Sequence, residues 1–309
     1  MPPIASVDVP ASSANLGSGF DCFAVALSLK LRAELFQGDE AGILLNAHGE
    51  GIPNVNDDPD SNLVIRAFRE GMRAAHGARE GSGAWRIEVS SMIPAARGLG
   101  SSASAIVGGL LLGASVGRNA PSPDELLGLA TGLEGHPDNV AAALYGGFTL
   151  AVADTDDAVT LRRFRVPDGW IPVVFVANAE SRTEQMRAVL PEVVPHHGAA
   201  LQAGRSALLA TAIMTGDATL LRMAMADELH QPYRLPLLEG AADLIGLAYD
   251  HGAAGAALSG AGPSVLAICA SPISAHSVEK AWNLAGVPGM ATRLRFDAVG
   301  ARLQHASDR

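Results

Sequence analysis

Lysine is almost missing from this 309-residue chain: of its 22 basic residues only Lys30 and Lys280 are lysines, and the others are arginines. No G-x-x-x-x-G-K-[ST] segment occurs, nor an H-R-D loop with D-F-G, which excludes the phosphate chemistry of P-loop enzymes and protein kinases. If the chain handles ATP, backbone N–H groups, arginine and a metal must neutralise the phosphates. Cysteine is scarce as well. Cys22 and Cys269 stand far apart, which excludes a disulfide framework or a C-x-x-C site and fits reduced thiols in a cytoplasmic protein. A net charge of −10 argues against nucleic acid or an anionic membrane as the main partner. The start, MPPIASVDVP, has neither a basic region nor an apolar core, so no signal peptide is expected. The one long apolar run, after Ser102, contains Gly108, Gly109 and Gly113 and ends at Arg118. It falls short of the roughly 20 residues a bilayer span needs and predicts a core helix.

What is present describes a filled globule, 48% hydrophobic and 17% charged, long enough for two modest domains. Its most informative segment is PAARGLGSSASA, Pro94 to Ala105. Before it, Trp85, Ile87 and Val89 alternate with Arg86, Glu88 and Ser90, the period of a half-buried strand. After it, Ala103 to Val116 predicts a buried helix. Between them Gly98 and Gly100 permit a tight turn, and Ser101 and Ser102 are expected to cap the helix. A helix start with free N–H groups and a positive dipole end attracts anions. GLGSSA also fits the G-x-G-x-x-G/A fingerprint of nicotinamide and flavin enzymes. That fingerprint needs an acid about 20 residues on, at the end of a second strand. Here the available acids, Asp124 and Glu125, follow NAPSP, a turn and helix start, so the context fails.

Along the rest of the chain, Ser6 to Pro10 predicts a short strand, ASSANLGSGFD a loop, and Cys22 to Phe36 a longer strand. Asn54 to Ser61 is a turn-rich loop, and Asn62 opens a helix with Leu63, Ile65, Phe68 and Met72 on one face. Ser122 as N-cap, Pro123 at the first helical position and Glu125 as capping-box partner predict a helix to about Glu134, stopped at Gly135. Asp138 is expected to cap a short helix that ends at Gly146-Gly147, with FTLAVA a strand. The polar segment Asp154 to Asp168 is the expected boundary, dividing residues 1–160 from 161–309. Beyond it WIPVVFVA is a strand, Gln202–Thr215 and Asp217–Glu228 are helices, and AAGAALSGAGPSVLAICA reads as strand, glycine turn, strand. Helices and strands mix without βαβα alternation, which predicts an α+β fold.

Three motifs stand in order: PASSANLGSGFD, PAARGLGSSASA and LSGAGPS. Together they resemble the GHMP kinases, small-molecule kinases, over nearly the whole chain. With EGHPDNVAAALYGG and SRTEQMRAVLP they look most like the homoserine kinases within that family; the sugar motif of galactokinases is missing. The resemblance implies a two-domain fold, the first ribosomal-S5-like and the second ferredoxin-like, with the site in the cleft between them. It implies ATP-dependent phosphorylation of the L-homoserine side-chain hydroxyl, toward threonine, by a homodimer. Rival readings are a mevalonate-type alcohol kinase, a nucleotide-binding protein without turnover and, third, an NAD-dependent oxidoreductase.

Phosphoryl transfer needs positioning and charge neutralisation more than covalent help. The resemblance places the nucleotide against Pro94, Ala95, Ala96, Arg97, Gly98, Leu99, Gly100, Ser101, Ser102, Ala103 and Ser104, with Asn62 near the base. Magnesium takes few protein ligands, all oxygens; Ser102 and Glu134 match the family's pair, with Ser101 as a substitute hydroxyl. Only Gly135 separates Glu134 from His136, fewer residues than in many homoserine kinases. The acceptor is a zwitterion. Arginine suits its carboxylate, and Arg187 and Arg234 match the family's substrate arginines. Asn15, Asp21, His136, Asn139 and Gly260 are the other implied contacts, Asp21 for the ammonium. Asp138 is the candidate base, and proton loss to a phosphate oxygen stands beside it.

Overall fold

The computed structural model describes residues 2–50, 61–76, 83–117, 119–153 and 158–306. The loop expected from Asn54 to Ser61 therefore lies outside the described residues except for Ser61, and so do the first four residues of the Asp154–Asp168 segment. Small and β-branched residues at the start build β1 (Ala5–Asn15) and the long β2 (Gly19–Gln37), paired antiparallel with register shifts at Pro10/Ala11 and Ala14/Asn15. The first strand thus runs five residues past its expected end, through ASSAN. Ala11, Ser12, Ser13 and Ala14 are buried and paired with β2, so only the Leu16–Ser18 stretch turns.

β3 (Gly42–Gly49) runs parallel to β4 (Ala84–Ser91), the alternating strand seen in the sequence. α1 (Leu63–His76) lies before β4, and α2 (Ser101–Ser115) follows the glycine loop. Asn62 caps α1, its Oδ1 accepting the N–H of Val64 at 2.9 Å. α1 and α2 meet backbone to backbone. A Cβ on Gly109 would strike the carbonyl of Val64, and one on Gly113 that of Phe68, which accounts for glycines in an apolar helix.

α3 (Pro123–Glu134) has the full capping box at Ser122 and Glu125 and stops on Gly135 at φ 90°. α4 (Asp138–Tyr145) leads through Gly146 to β5 (Phe148–Ala153) and β6 (Val159–Phe164). Asp138 is not the cap: it is the first helical residue, and its carboxylate is turned to His136 and its neighbour's N–H.

The second half comprises β7 (Ile171–Ala177), α5 (Thr183–Ala188), α6 (His196–Thr215), α7 (Leu221–Ala224), α8 (Gln231–Arg234), α9 (Ala241–Asp250), β8 (Gly255–Leu258), β9 (Val265–Cys269), α10 (Pro272–Asn283), β10 (Gly289–Arg293) and β11 (Arg302–His305). The single helix expected from Asp217 to Glu228 is broken after Ala224. Asp227 ends it, its carboxylate collecting the N–H groups of Leu229, His230 and Gln231.

Two sheets result. One has the order β11-β1-β2-β4-β3, with β5 joined to β2 and β6 to β5; the other has the order β10-β7-β9-β8. β6 and the C-terminal β11 thus belong to the first sheet, because β6 hydrogen-bonds β5 and β11 hydrogen-bonds the edge of β1. α2 and α4 pack on β1 and β2, burying Val9, Leu27, Ile106 and Leu110. α9 and α10 cover the second sheet, where Trp282 sits edge-on to Phe175 and donates to the Leu244 carbonyl at 2.7 Å. Burying each such large side chain stabilises the fold by about 1.5–3 kcal/mol. The layering is α+β, as expected.

Candidate active site

The three sequence motifs interlock at one place. Ser259, from the turn between β8 and β9, donates to the Gly98 carbonyl at 2.6 Å, and its Oγ lies 2.8 Å from Ser13 Oγ. The Ser12 N–H donates to the Leu99 carbonyl at 3.1 Å, and Asn15 Nδ2 to the Gly260 carbonyl at 2.8 Å. The loop between β4 and α2 is thus clamped from both sheets. Within it positive φ recurs at every second residue, Ala96, Gly98 and Gly100. Such alternation curls successive amides into a concave, anion-binding shape. Gly100, at φ 68°, is the N-cap of α2; Ser101 and Ser102 are helical residues, not caps, because the left-handed turn puts the helix start one residue earlier.

Beside this loop lies a cavity of about 590 Å³. Asn15, Asp21, Asn62, Pro94, Ala95, Ala96, Gly98, Leu99, Gly100, Ser101, Ser102, Glu134, His136, Asp138, Asn139, Arg187, Arg234 and Gly260 all line it. Three expected nucleotide contacts do not. Ala103 is buried in the core, and the Ser104 hydroxyl is turned to the Pro10 carbonyl. The Arg97 guanidinium donates to the carbonyls of Ala95, Ala177 and Asn178, strapping the loop to the end of β7. Asn62 lines the cavity with its Oδ1 committed to capping α1.

At the loop end, the Ser102 hydroxyl donates to Glu134 Oε1 at 2.6 Å, joining the first turn of α2 to the last residue of α3. Burial raises the Glu134 pKa, and the Ser102 hydrogen bond and the charge on His136 partly oppose it. His136 Nδ1 lies 2.6 Å from Asp138 Oδ1, and Asn139 Oδ1 accepts from Ser12 at 2.8 Å. Burial works against the charged His136 ring, but the hydrogen bond and charge of Asp138, then Glu134, outweigh it and raise the pKa. A pKa raised above the unfolded 6.5 gives stability fully present below that value and lost as pH climbs through the folded one. The Tm gap between the parent and His136→Gln is accordingly expected to be widest below about pH 6 and to close in alkali. Thermal melts across that range check it; a gap that opens with pH would mean the ring pairs as the neutral form.

At the opposite end, Arg187 clasps Asp21 with two hydrogen bonds, 2.6 and 2.9 Å. The residues expected to take the acceptor's two charges are therefore also partners of each other. Asn15 Oδ1 accepts the Asp21 N–H at 3.0 Å; Asn15, Leu16 and Asp21 all have positive φ, a strained turn held by its ties. Arg234 is 2% exposed and donates to the carbonyls of Met186 and Gly260 at 3.1 and 3.4 Å. No carboxylate among the described residues lies within ion-pair distance of it. Burial, with the Arg187 charge next, lowers its pKa to about 10. Cys22, in the same region, has its thiol pushed up to about 11 by burial and the charges of Asp138 and Asp21, so it is no nucleophile. Ser181, Arg182, Thr183 and Glu184 also line the cavity. Sequence reading passed over them, although SRTEQMR carries them alongside Arg187.

A glycine-curled loop at a helix start, an oxygen pair beside it and an arginine-rich pocket across one cavity define a small-molecule kinase site. Models of the GHMP kinases N terminal domain and the GHMP kinases C terminal match residues 62–147 and 205–287. The chain belongs to the GHMP kinase family. Relatives matched over most of the chain include homoserine kinases. That of Moorella thermoacetica is 40% identical over 266 residues, 85% of this chain and 86% of the relative. One from a Synechococcus species is 38% identical over 312 residues, 98% and 96% of the two chains. A crystal structure of homoserine kinase from Cytophaga hutchinsonii superposes with a TM-score of 0.87 at 25% identity, covering 97% of this chain and 98% of that one. A mevalonate kinase from L. major, at TM-score 0.68 and 17% identity, shares the fold.

Proposed function

We propose that the chain transfers the γ-phosphoryl group of ATP to the side-chain hydroxyl of L-homoserine, giving O-phospho-L-homoserine for threonine biosynthesis. The observation that carries this is Arg234, a buried guanidinium with no carboxylate partner among the described residues, facing the same cavity as the glycine loop. A buried cation of that kind needs an anion, and the acceptor's carboxylate supplies one. Arg187 would share the carboxylate while keeping hold of Asp21, whose remaining lone pairs receive the ammonium. His136, Asn139, Asn15 and the Gly260 carbonyl would orient the rest of the acceptor.

The amides of residues 96–102 would bind the polyphosphate, and Asn62 the base end. Ser102 Oγ and Glu134 Oε1 are hard oxygen donors 2.6 Å apart, the donor type magnesium takes when the nucleotide supplies most of its shell. When bound, the ion neutralises charge on the β- and γ-phosphates. Asp138 Oδ1 is held by His136 and Asn139, and Oδ2 makes no hydrogen bond among the described residues; it is the protein oxygen we assign to the acceptor's proton. The same proposal includes a nucleotide-binding half of residues 1–160, whose sheet also takes in β6, across that boundary, and β11, beyond it, and a second half of residues 161–309 that carries the other sheet. It also includes a cytoplasmic homodimer that binds neither nucleic acid, as its −10 charge favours, nor membrane; among the described residues no helix is long and apolar enough to cross one.

ADP release measured with homoserine, serine, threonine, mevalonate and galactose tests the reaction. Turnover is expected with homoserine above all, and equal turnover of mevalonate, which has no ammonium for Asp21, would refute it. Arg234→Ala is expected to raise the KM for homoserine by about 10–100-fold, the range for losing hydrogen bonds to a charged group. An unchanged KM would take Arg234 out of the acceptor site.

A further inference from the structure

Behind Arg234 lies a buried cluster that the transfer chemistry leaves unused. His230 is 0% exposed. Its Nε2 lies 2.9 Å from the Gly17 carbonyl oxygen and 3.4 Å from Asp227 Oδ2, and its Nδ1 lies 3.3 Å from Nη1 of Arg234. A carbonyl can only accept and a guanidinium can only donate. The ring must therefore carry its hydrogen on Nε2 and turn the Nδ1 lone pair to Arg234. A doubly protonated ring would set one N–H against another across that 3.3 Å gap. Burial, pushing the His230 pKa down against the opposing charge of Asp227, keeps the ring neutral.

The surroundings hold the ring in place. Phe20 stacks on it at 5.2 Å and 22°, and the guanidinium groups of Arg187 and Arg234 lie 5.7 and 5.4 Å from the centroid of the Phe20 ring. Asp227 is itself pinned, accepting from Gln202 Nε2 at 2.9 Å as well as from the three N–H groups that start α8. The Gly17 carbonyl belongs to the turn between Asn15 and Asp21. One imidazole thus ties the acceptor-site arginine to the loop that carries the acceptor-site aspartate.

We propose that His230 is a positioning residue: as the neutral imidazole protonated on Nε2, it accepts from Arg234 and fixes the direction in which that guanidinium meets the acceptor's carboxylate. This rests on the reading that Arg234 receives that carboxylate.

In the intact protein with isotope-labelled histidine, NMR is expected to show His230 as the Nε2–H tautomer at neutral pH; an Nδ1–H tautomer or an imidazolium would overturn the proposal. Two variants separate the ring's nitrogens. His230→Asn keeps an acceptor near the Nδ1 position, and His230→Gln keeps a donor near Nε2. His230→Gln is expected to raise the KM for homoserine about tenfold with kcat within about threefold, whereas His230→Asn keeps KM within about threefold of the parent. Equal KM values for the two would overturn the positioning role. In the Arg234→Ala background, His230→Gln is expected to move KM no further, and a full additional tenfold rise there would overturn it too. An Arg234→Ala protein with unchanged KM would instead remove the carboxylate reading, so the two failures are distinguishable.

Discussion

Replacing Glu134 with glutamine is expected to lower kcat by about tenfold or more at saturating magnesium, while Tm stays level or rises. The two effects share one cause. The carboxylate ends α3 and is largely withdrawn from solvent beside Ser102 in a half-buried residue, so its charge is costly to the folded state and its pKa is raised. A carboxyl pKa raised on folding means the folded state binds the extra proton, so stability falls as pH rises between the unfolded and folded values. Glutamine has the shape of the protonated form, keeps an oxygen for the Ser102 hydroxyl and removes the buried charge. It also removes the anionic ligand we assign to magnesium, whose charge neutralisation is a large part of phosphoryl-transfer catalysis. Steady-state kinetics across magnesium concentration, with melting curves on the same samples, check both halves. Near-parental kcat would reject the ligand role. A Tm well below the parent would mean that the carboxylate is structural.

Gly98→Ala is expected to raise the KM for ATP by about tenfold or more and to destabilise the protein by about 2 kcal/mol. At φ 74° any side chain is strained, and here the space is filled as well. A Cβ would lie well under 3.0 Å from the Ser259 carbonyl oxygen and 2.9 Å from that of Gly262, both main-chain atoms that cannot swing aside. The Ser259 tie to the loop must then open, and the curl of amides with it. Gly132→Ala, inside α3, is the control. Nothing lies within 4 Å of its added Cβ, so it is expected to stabilise by about 0.5–1 kcal/mol through helix propensity. If Gly98→Ala bound ATP like the parent, the polyphosphate would sit elsewhere.

Much of the path to this site was readable from local chemistry. The capping box of α3, its stop at Gly135 and the alternation of β4 are decided by neighbours a few residues apart, and the structure has all three. The errors fall where distant residues decide. ASSAN looked like a loop because its residues are small, yet it pairs with β2, and Ala14 packs with Ala24, Ala26 and Ala142, where small side chains suit the closely packed layers. The Asp217–Glu228 segment has helical composition, but the buried carboxylate of Asp227 offers the backbone a better set of hydrogen bonds. Arg97, beside the glycines, looked like a phosphate ligand; carbonyls eighty residues away claim it.

The amino-acid sequence alone determined the α+β class, the glycine loop with its helix, the kinase family and most of the polar residues that line the cavity. Each of these depends on residue type and short spacing. Only the tertiary structure decided how those residues spend their hydrogen bonds: Asp21 with Arg187, Ser102 with Glu134, Ser259 with Gly98, and His230 behind Arg234. The first three pairs span dozens to hundreds of residues, and His230, close to Arg234 in the chain, is held there by Gly17, 213 residues away, so no local pattern encodes these ties. They form because burying a polar group costs free energy until a partner from another strand or helix is brought beside it.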